Sequence, residues 1–368
     1  MKHFGHFVAF IILAINALFT GLLLLTAYSP YIYPVTHPVQ SCLGLTFPIF
    51  ALINGCFLIF WLVIQRYKSA LLPLIGFLLC YSQIRTYLPI NFRTDNLPEG
   101  SIKILSYNIM GFDGASKKNG ENAILTYLKE SNADILCLQE YATVESPHYL
   151  TQKDIENELV DYPYHRINAV GSASGYTNKI ACYSKYPILS ARVLKYTSEY
   201  NGSVAYELKL GEDTITLINN HLESNKLTKA DKDIYEGMLK SPEKEKVKSG
   251  ARLLIRKLAE ASAIRAPQAD TIVREISSSR HPSVIVCGDF NDTPISYAHR
   301  VIAENLDDAF TQSGRGLGIS YNQNKFYFRI DNILISKNLK SYNCTVDRSI
   351  KESDHYPIWC YISMKNEK

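Results

Sequence analysis

Six times along this chain a short apolar run ends in residues able to hold a metal ion or move a proton. Ser106-Tyr107-Asn108 follows Ile102 to Leu105, Leu138-Gln139-Glu140 follows Ile135 to Cys137, and Asn219-Asn220-His221-Leu222 follows Ile215 to Ile218. Gly288-Asp289-Phe290-Asn291-Asp292-Thr293-Pro294 follows Val284 to Cys287, and Arg329-Ile330-Asp331 and Ser353-Asp354-His355-Tyr356-Pro357-Ile358 complete the set. Asn, Asp and His are common at strand ends and turns, so no one of these positions carries a function alone. Together they assemble oxygen ligands of the kind a hard divalent cation takes, with imidazoles that titrate near neutrality. The edge of a rigid sheet is where such groups would meet.

The Gly-Asp-Phe-Asn-Asp-x-Pro and Ser-Asp-His-Tyr-Pro strings are the most specific. In this order and in these strand contexts they resemble the endonuclease/exonuclease/phosphatase superfamily, which includes pancreatic deoxyribonuclease, abasic-site endonucleases, neutral sphingomyelinases and inositol polyphosphate 5-phosphatases. The resemblance runs from about Lys103 to the C-terminus. It implies an α/β (α+β) fold, a four-layered sandwich of two packed mixed sheets flanked by helices, with the site at one sheet edge. It also implies hydrolysis of a phosphoester with Mg²⁺ or Mn²⁺. Phosphate oxygens are anionic and repel a nucleophile, so a cation must offset their charge while an oriented water attacks in line.

By the same resemblance, Glu140 is the principal metal carboxylate, Asn108 lies beside metal and phosphate, and Asp354 is a further acidic group near the ion. Asp289 matches the aspartate that orients or deprotonates the water, and Asn291 the asparagine that bonds the phosphate. His355 matches the histidine that contacts phosphate or serves in acid–base chemistry, with Asp331 as its buried carboxylate partner. His221 matches the histidine that assists leaving-group protonation in the deoxyribonuclease and sphingomyelinase branches. Arg329 and Asn332 depart from the family pattern, Asn332 standing where an aromatic residue is frequent, and the segment around His221 is unlike that of the abasic-site endonucleases. Asp292 reads as a turn residue, and His148, His165 and His281 carry no assigned role. Gly111 to Gly120 contains no GxxxxGK[ST] string and reads as a loop beside the site.

The elements that must position these groups follow from apolar patterning. Strands are expected at Ile102–Tyr107, Ile135–Gln139, Lys179–Tyr183, Val204–Leu210, Thr214–Asn219, Val284–Cys287, Ile330–Ile335 and Trp359–Ile362, and a helix at Glu121–Ser131. Between Glu223 and Ser279, Leu253, Leu254, Leu258 and Ala261 follow helical spacing, with a break expected near Pro267 and helix resumed through Ile272, Val273 and Ile276. The Lys-rich first half of this region is interspersed with acidic residues, as on a solvated surface.

Charge divides the chain. Before Pro98 the only charged residues are Lys2, Arg66, Lys68, Arg85, Arg93 and Asp95; removing them from totals of 39 basic and 35 acidic leaves 34 of each sign in 98–368. A neutral domain lacks the broad basic footprint of nucleic-acid binding. Of eight cysteines, five lie in this part, four of them in apolar runs, so no disulfide framework or CxxC pair is read.

Residues 1–97 read as a membrane anchor with two to three spans, about 7–27, 43–64 and 70–90, and 98–368 as the catalytic domain. Asn16, Thr20 and Asn54 interrupt the first two spans and are tolerable where they face another helix. A cleaved signal peptide is the alternative for the first segment. The loop carrying Arg66 and Lys68 is assigned to the cytoplasm, since the first loop, Ser29 to Cys42, has neither Lys nor Arg. Three spans then place the catalytic domain outside a bacterial cytoplasmic membrane, and two keep it inside. The expected partners are the bilayer and a phosphoester: a phospholipid, a nucleic acid or a small phosphorylated molecule. A membrane-bound nuclease and a catalytically silent scaffold are the competing functions.

Overall fold

A computed structural model describes residues 2–118, 120–146, 148–173, 175–240, 243–323 and 326–365. The strands are β1 (Ile102–Asn108), β2 (Ile135–Gln139), β3 (Tyr164–Ala173), β4 (Tyr176–Ser184), β5 (Ile188–Val193), β6 (Gly202–Leu210), β7 (Asp213–His221), β8 (Val284–Asp289), β9 (Leu306–Asp308), β10 (Tyr321–Gln323), β11 (Phe326–Phe328), β12 (Asp331–Ser336), β13 (Leu339–Val346) and β14 (Ile358–Met364). The helices are α1 (Lys2–Tyr28), α2 (Pro38–Ser41), α3 (Phe47–Val63), α4 (Tyr67–Leu79), α5 (Tyr81–Tyr87), α6 (Met110–Ala115), α7 (Ala123–Glu130), α8 (Gln152–Glu158), α9 (Lys229–Lys240), α10 (Lys244–Ser277), α11 (Tyr297–Ala303) and α12 (Ala309–Ser313).

Two six-stranded sheets have the orders β13-β14-β1-β2-β4-β3 and β5-β6-β7-β8-β12-β9. Each is mixed, with one parallel pair, β1/β2 and β7/β8, among antiparallel neighbours. The sheets face each other across a core that includes Ile104, Ile180, Val204, Leu217, Ile285, Ile333 and Ile358. Cys137, Cys182, Cys287, Cys344 and Cys360 belong to the same layer as unpaired thiols, acting as small apolar side chains. A second cluster joins β1 and β2 to α7 and α8 through Leu105, Leu136, Leu128 and Ile155. A third joins β7 and β8 to α10 and α11 through Ile218, Val286, Ile272 and Ile302. Helix, sheet, sheet and helix make the four-layered sandwich that the sequence resemblance implied.

The expected break at Pro267 does not occur, because α10 runs through the proline. Pro267 lacks one backbone donor, which would destabilise a free helix by about 3 kcal/mol. Here Ala266, Ala269 and Ile272 are fully buried on one side, and Gln268 and Arg265 are hydrogen-bonded to the segment after β7. Tertiary packing keeps the helix continuous through its weak point. β3, β5, β9, β10, β11 and β13 were not anticipated.

The N-terminal helices stand at one end of the sandwich. Phe4–Tyr31 and Pro38–Val63 are long and apolar enough to cross a membrane, and Tyr67–Leu79 is a shorter apolar helix. The third apolar stretch is not one helix to residue 90: α4 stops at Leu79, Cys80 breaks the line, and α5 ends at Tyr87. Asn16, Thr20 and Asn54 meet one another between α1 and α3, with Thr20 Oγ1 donating to Asn54 Oδ1 at 2.8 Å and Trp61 Nε1 to Asn16 Oδ1 at 3.0 Å. The outer faces are apolar, with Phe7, Phe10 and Leu18, Leu52, Ile59 and Val63, and Leu71, Ile75 and Leu78 all exposed.

Candidate active site

Strand register brings the chemical residues to one edge. β1 and β2 run parallel with Asn108 beside Gln139, so Glu140 is the next residue out. β7 and β8 run parallel with His221 beside Asp289, and antiparallel β12 sets Asp331 opposite Asp289. Both parallel pairs therefore deliver polar residues from their C-terminal ends. Gly288 makes the close approach possible: a Cβ there would lie 2.0 Å from the Asn220 carbonyl oxygen, and its φ is +124°.

The side chains form one connected network. Asn108 Nδ2 donates to Glu140 Oε1 at 3.0 Å and to Asp289 Oδ2 at 3.2 Å, bridging the two sheets. The backbone N–H of Asn291 donates to Asp289 Oδ1 at 2.8 Å, and the Asn291 amide is held by the Leu222 carbonyl at 3.0 Å. His355 Nδ1 and Asp331 Oδ2 are 2.8 Å apart, and His355 Nε2 points toward Asp289 Oδ2 at 3.6 Å. His221 Nε2 lies 3.6 Å from Glu140 Oε1 and 3.7 Å from Asp289 Oδ2.

Of the eight residues singled out, Glu140, His221, Asp289, Asn291, Asp354 and His355 line one cavity of about 260 Å³. Asn108 and Asp331 stand directly behind them, bonded to Glu140 and His355. Glu140 and Asn291 have φ of 52° each, and the neighbouring turn from Met110 to Ala115 is left-handed throughout. Non-glycine residues held at positive φ store strain, and such strain gathers where the surrounding structure fixes a functional geometry.

Burial and charge set the protonation states. Asp289 is pushed up to about 6, chiefly by burial and further by Asp331, with His355 and His221 pulling the other way. Burial also raises Glu140, while the Asn108 hydrogen bond opposes the rise. Burial disfavours the charged form of His355, yet the Asp331 and Asp289 carboxylates outweigh it and hold the imidazole well above its ordinary value. Burial lowers His221, which stays neutral.

Asn178 was not singled out from the sequence, and it orients His221. Its amide nitrogen donates to the Tyr200 carbonyl at 2.9 Å, which fixes the amide orientation, and its other proton faces His221 Nδ1 at 3.2 Å. His221 then accepts at Nδ1 and carries its proton on Nε2, toward Glu140 and Asp289. No local pattern in β4 distinguishes Asn178 from any other strand asparagine. Ser353, whose hydroxyl donates to the Asn108 carbonyl at 2.7 Å, lies within a quoted string but was given no role. Asp292 is engaged by Arg265 at 3.2 Å, in keeping with a turn residue.

Asp289, Asp331 and His355 have ligand atoms within 4.8 Å of one another, a different group from the metal set of Glu140, Asn108 and Asp354 expected from the sequence. The 2.8 Å hydrogen bond between His355 Nδ1 and Asp331 Oδ2 engages one ligand atom of each of these residues. Glu140 keeps 31% of its side chain exposed toward the cavity and suits a hard cation better. Three carboxylates packed against two imidazoles, with the Asp331 Oδ1 atom buried and unpaired, form an acidic, oxygen-rich site into which a divalent ion fits.

A family model described as "Endonuclease/Exonuclease/phosphatase family" matches residues 105–355. The chain belongs to this family. A second model, described as a domain of unknown function (DUF8431), matches residues 9–87 and so covers the apolar helices. Among solved structures, the human Nocturnin catalytic domain with bound sulfate is similar at 16% identity, covering 75% of this chain and 97% of that one with a TM-score of 0.51. A humanized D. rerio TDP2 is similar at 17% identity over 72% of this chain and 100% of that one, with a TM-score of 0.50. An endonuclease/exonuclease/phosphatase from Beutenbergia cavernae follows at 13% identity over 72% of each chain, also at 0.50. These likenesses establish the fold. No curated protein matches the chain.

Proposed function

We propose that this family member is a divalent-metal-dependent hydrolase of phosphoesters, held at a membrane by its N-terminal helices. The observation that carries the reading is the convergence of Glu140, Asp289, Asn291, His221 and His355 on one cavity, with Asn108 and Asp331 locking them from behind. Glu140, aided by Asn108 and Asp354, would hold Mg²⁺ or Mn²⁺, which when bound offsets phosphate charge and polarises the ester.

Asp289 orients the attacking water and takes its proton; a carboxylate near 6 is ionised at neutral pH and still basic enough for the task. His355, kept cationic by Asp331 and Asp289, faces the phosphate oxygens. His221, neutral with its proton on Nε2, hydrogen-bonds the departing oxygen, and the proton that Asp289 takes from water is the one that passes to it. Asn291 holds Asp289 in place through its backbone N–H and its side-chain amide. One P–O bond forms to the water oxygen, one breaks to the alcohol, and the two water hydrogens end on the product phosphate and the released hydroxyl.

Two apolar helices long enough to span, packed with a shorter third, support the membrane reading. Arg66 reaches the Gly5 carbonyl at 3.4 Å, so the basic loop shares an end with the start of α1. The opposite end meets the catalytic domain, where Arg300 Nε donates to the Pro30 carbonyl at 2.9 Å. With Arg66 and Lys68 in the cytoplasm, the catalytic domain stands outside. Apolar faces this broad are costly in water.

Purified full-length protein with Mg²⁺ or Mn²⁺ should cleave a panel of phosphodiesters and phosphomonoesters, and EDTA should abolish the activity. Failure on nucleic acid, lipid and small phosphoesters alike would sink the hydrolase reading and favour a silent scaffold.

A further inference from the structure

Part of the wall of the catalytic cavity is made outside the catalytic domain. Ser41, Cys42 and Leu45, from the turn joining the first two apolar helices, line the same cavity as Glu140, His221, Asp289 and His355. The contact is close. Ser41 Oγ lies 3.5 Å from Ser262 Oγ on α10. A Cβ on Gly44 would sit 2.0 Å from the Ile295 carbonyl oxygen, so only glycine lets the turn settle there. Ile295, six residues beyond Asp289, is buried with Leu23, Ala27, Phe47 and Cys80 in the core of the helical unit.

The cavity lining is mixed. Beside the carboxylates and imidazoles, and the Arg265–Asp292 pair near Cys42, it carries the apolar side chains Leu45, Leu258, Ile295, Phe326, Phe328 and Ile330. Lys232 also lines it and donates to Tyr321 OH at 2.6 Å. A free nucleotide or sugar phosphate would leave the apolar wall facing water. A molecule with a phosphoester at one end and a hydrocarbon chain at the other satisfies both.

We propose that the N-terminal helical unit is part of the substrate site, its Ser41–Leu45 turn forming the wall that receives the hydrocarbon chain of an amphiphilic, membrane-resident phosphoester. This rests on the hydrolase reading above and adds the substrate class to it. The phosphoester lies against Glu140, Asp289 and His355, and the chain runs along Leu45 and Ile295 toward the bilayer. Hydrolysis is the same balanced step: water oxygen joins phosphorus, the ester oxygen leaves with a proton, and the chain stays on the membrane side. The region matched as a domain of unknown function thereby acquires a role beyond anchoring.

The test uses full-length protein in lipid nanodiscs with Mn²⁺ and a series of alkyl 4-nitrophenyl phosphates from ethyl to dodecyl. A methylene moved from water to an apolar wall is worth about 0.8 kcal/mol, so even partial burial should raise kcat/KM by roughly a hundredfold between ethyl and dodecyl. Leu45→Gln should cut the dodecyl-to-ethyl ratio at least about tenfold, and Leu258→Gln, on the facing wall, should do the same if the first variant folds poorly. Long esters also concentrate in the disc, but that partition is identical for wild type and variant. Equal ratios in wild type and both folded variants, or no chain-length dependence at all, overturn the proposal while ethyl ester turnover leaves the hydrolase reading standing. Turnover of no ester overturns the proposal, and the wider panel of phosphomonoesters and nucleic acids then decides the hydrolase reading.

Discussion

His355 Nδ1 lies 2.8 Å from Asp331 Oδ2, joining a histidine before β14 to the first residue of β12. The carboxylate does two things at once: it fixes the ring so that Nε2 faces Asp289, and its charge holds the imidazole protonated. Asp331→Asn keeps the shape and removes the charge. It should lower kcat by about 10²- to 10⁴-fold, the range that general acid–base groups contribute. It should also move the deprotonation of His355 to lower pH, shifting the alkaline limb of the kcat profile. A variant with near wild-type kcat and an unmoved profile would remove His355 from the chemistry.

Asp289 gives a pH dependence with a defined sign. Acting as a base, it must be ionised, so kcat/KM should rise through about pH 6. Stability runs the other way. The folded value lies above the ordinary 3.8, so the fold favours the protonated carboxyl. That stability is fully present below about pH 4 and is lost as pH rises through about 6. Metal-free protein should therefore melt lower at pH 7 than at pH 5. Asp289→Asn should flatten the difference while abolishing turnover.

Glu140 is expected to account for most metal affinity. A ligand that binds only the folded state at a hundred times its Kd stabilises it by about 2.7 kcal/mol. Wild type should thus show a clear rise in melting temperature with Mn²⁺ or Mg²⁺, and EDTA should reverse it. In Glu140→Gln, which keeps the Asn108 contact but loses the charge, both the thermal response and activity should be lost. A persisting response would move the ion toward Asp289, Asp331 and His355.

Much of this site was legible because its residues sit where apolar strands end, and parallel pairing forces those ends to one edge. Asn108, Glu140, His221 and Asp289 are all of this kind. Asn178 was not legible, since its role depends on a strand of the opposite sheet contributing an amide across the sandwich, which no local spacing encodes. The uninterrupted run of α10 through Pro267 escaped for a related reason: local propensity predicts a break, and Ala266, Ala269 and Ile272 packed on the sheet override it. The long apolar helices were readable from apolar length alone, whereas their seating on Ile295 through Gly44 was not.

The proposed three-pass arrangement predicts sidedness. Arg66 and Lys68 lie at the end of the helical unit remote from the catalytic domain, beside Gly5. A C-terminal alkaline phosphatase fusion should be active and a C-terminal green fluorescent protein fusion dark, as expected for an extracytoplasmic domain. Bright fluorescence would place the domain in the cytoplasm and break the three-pass reading.

Arg329, a departure from the family pattern, is buried at 3% exposure and ties the two halves of the chain together. Its guanidinium lies 3.3 Å from Asp308 Oδ2, donates to the Thr86 carbonyl at the end of α5, and stacks 4.5 Å over Phe310. His299, unremarked in the sequence, approaches the same carboxylate at 3.4 Å. Burial alone would raise Asp308, yet Arg329 and His299 hold it well below the usual carboxylate range. Its stabilising contribution is present above the ordinary carboxylate value and is lost as pH falls through the depressed one. Asp308→Asn leaves Arg329 buried without its counter-charge, a change that costs about 3–5 kcal/mol. Pairing it with Arg329→Met removes both charges and should recover much of the loss, though not the tie to Thr86. Thermal melting of both variants in detergent checks this: a double variant no more stable than Asp308→Asn would mean that the bond to Thr86, not the ion pair, holds the helical unit in place.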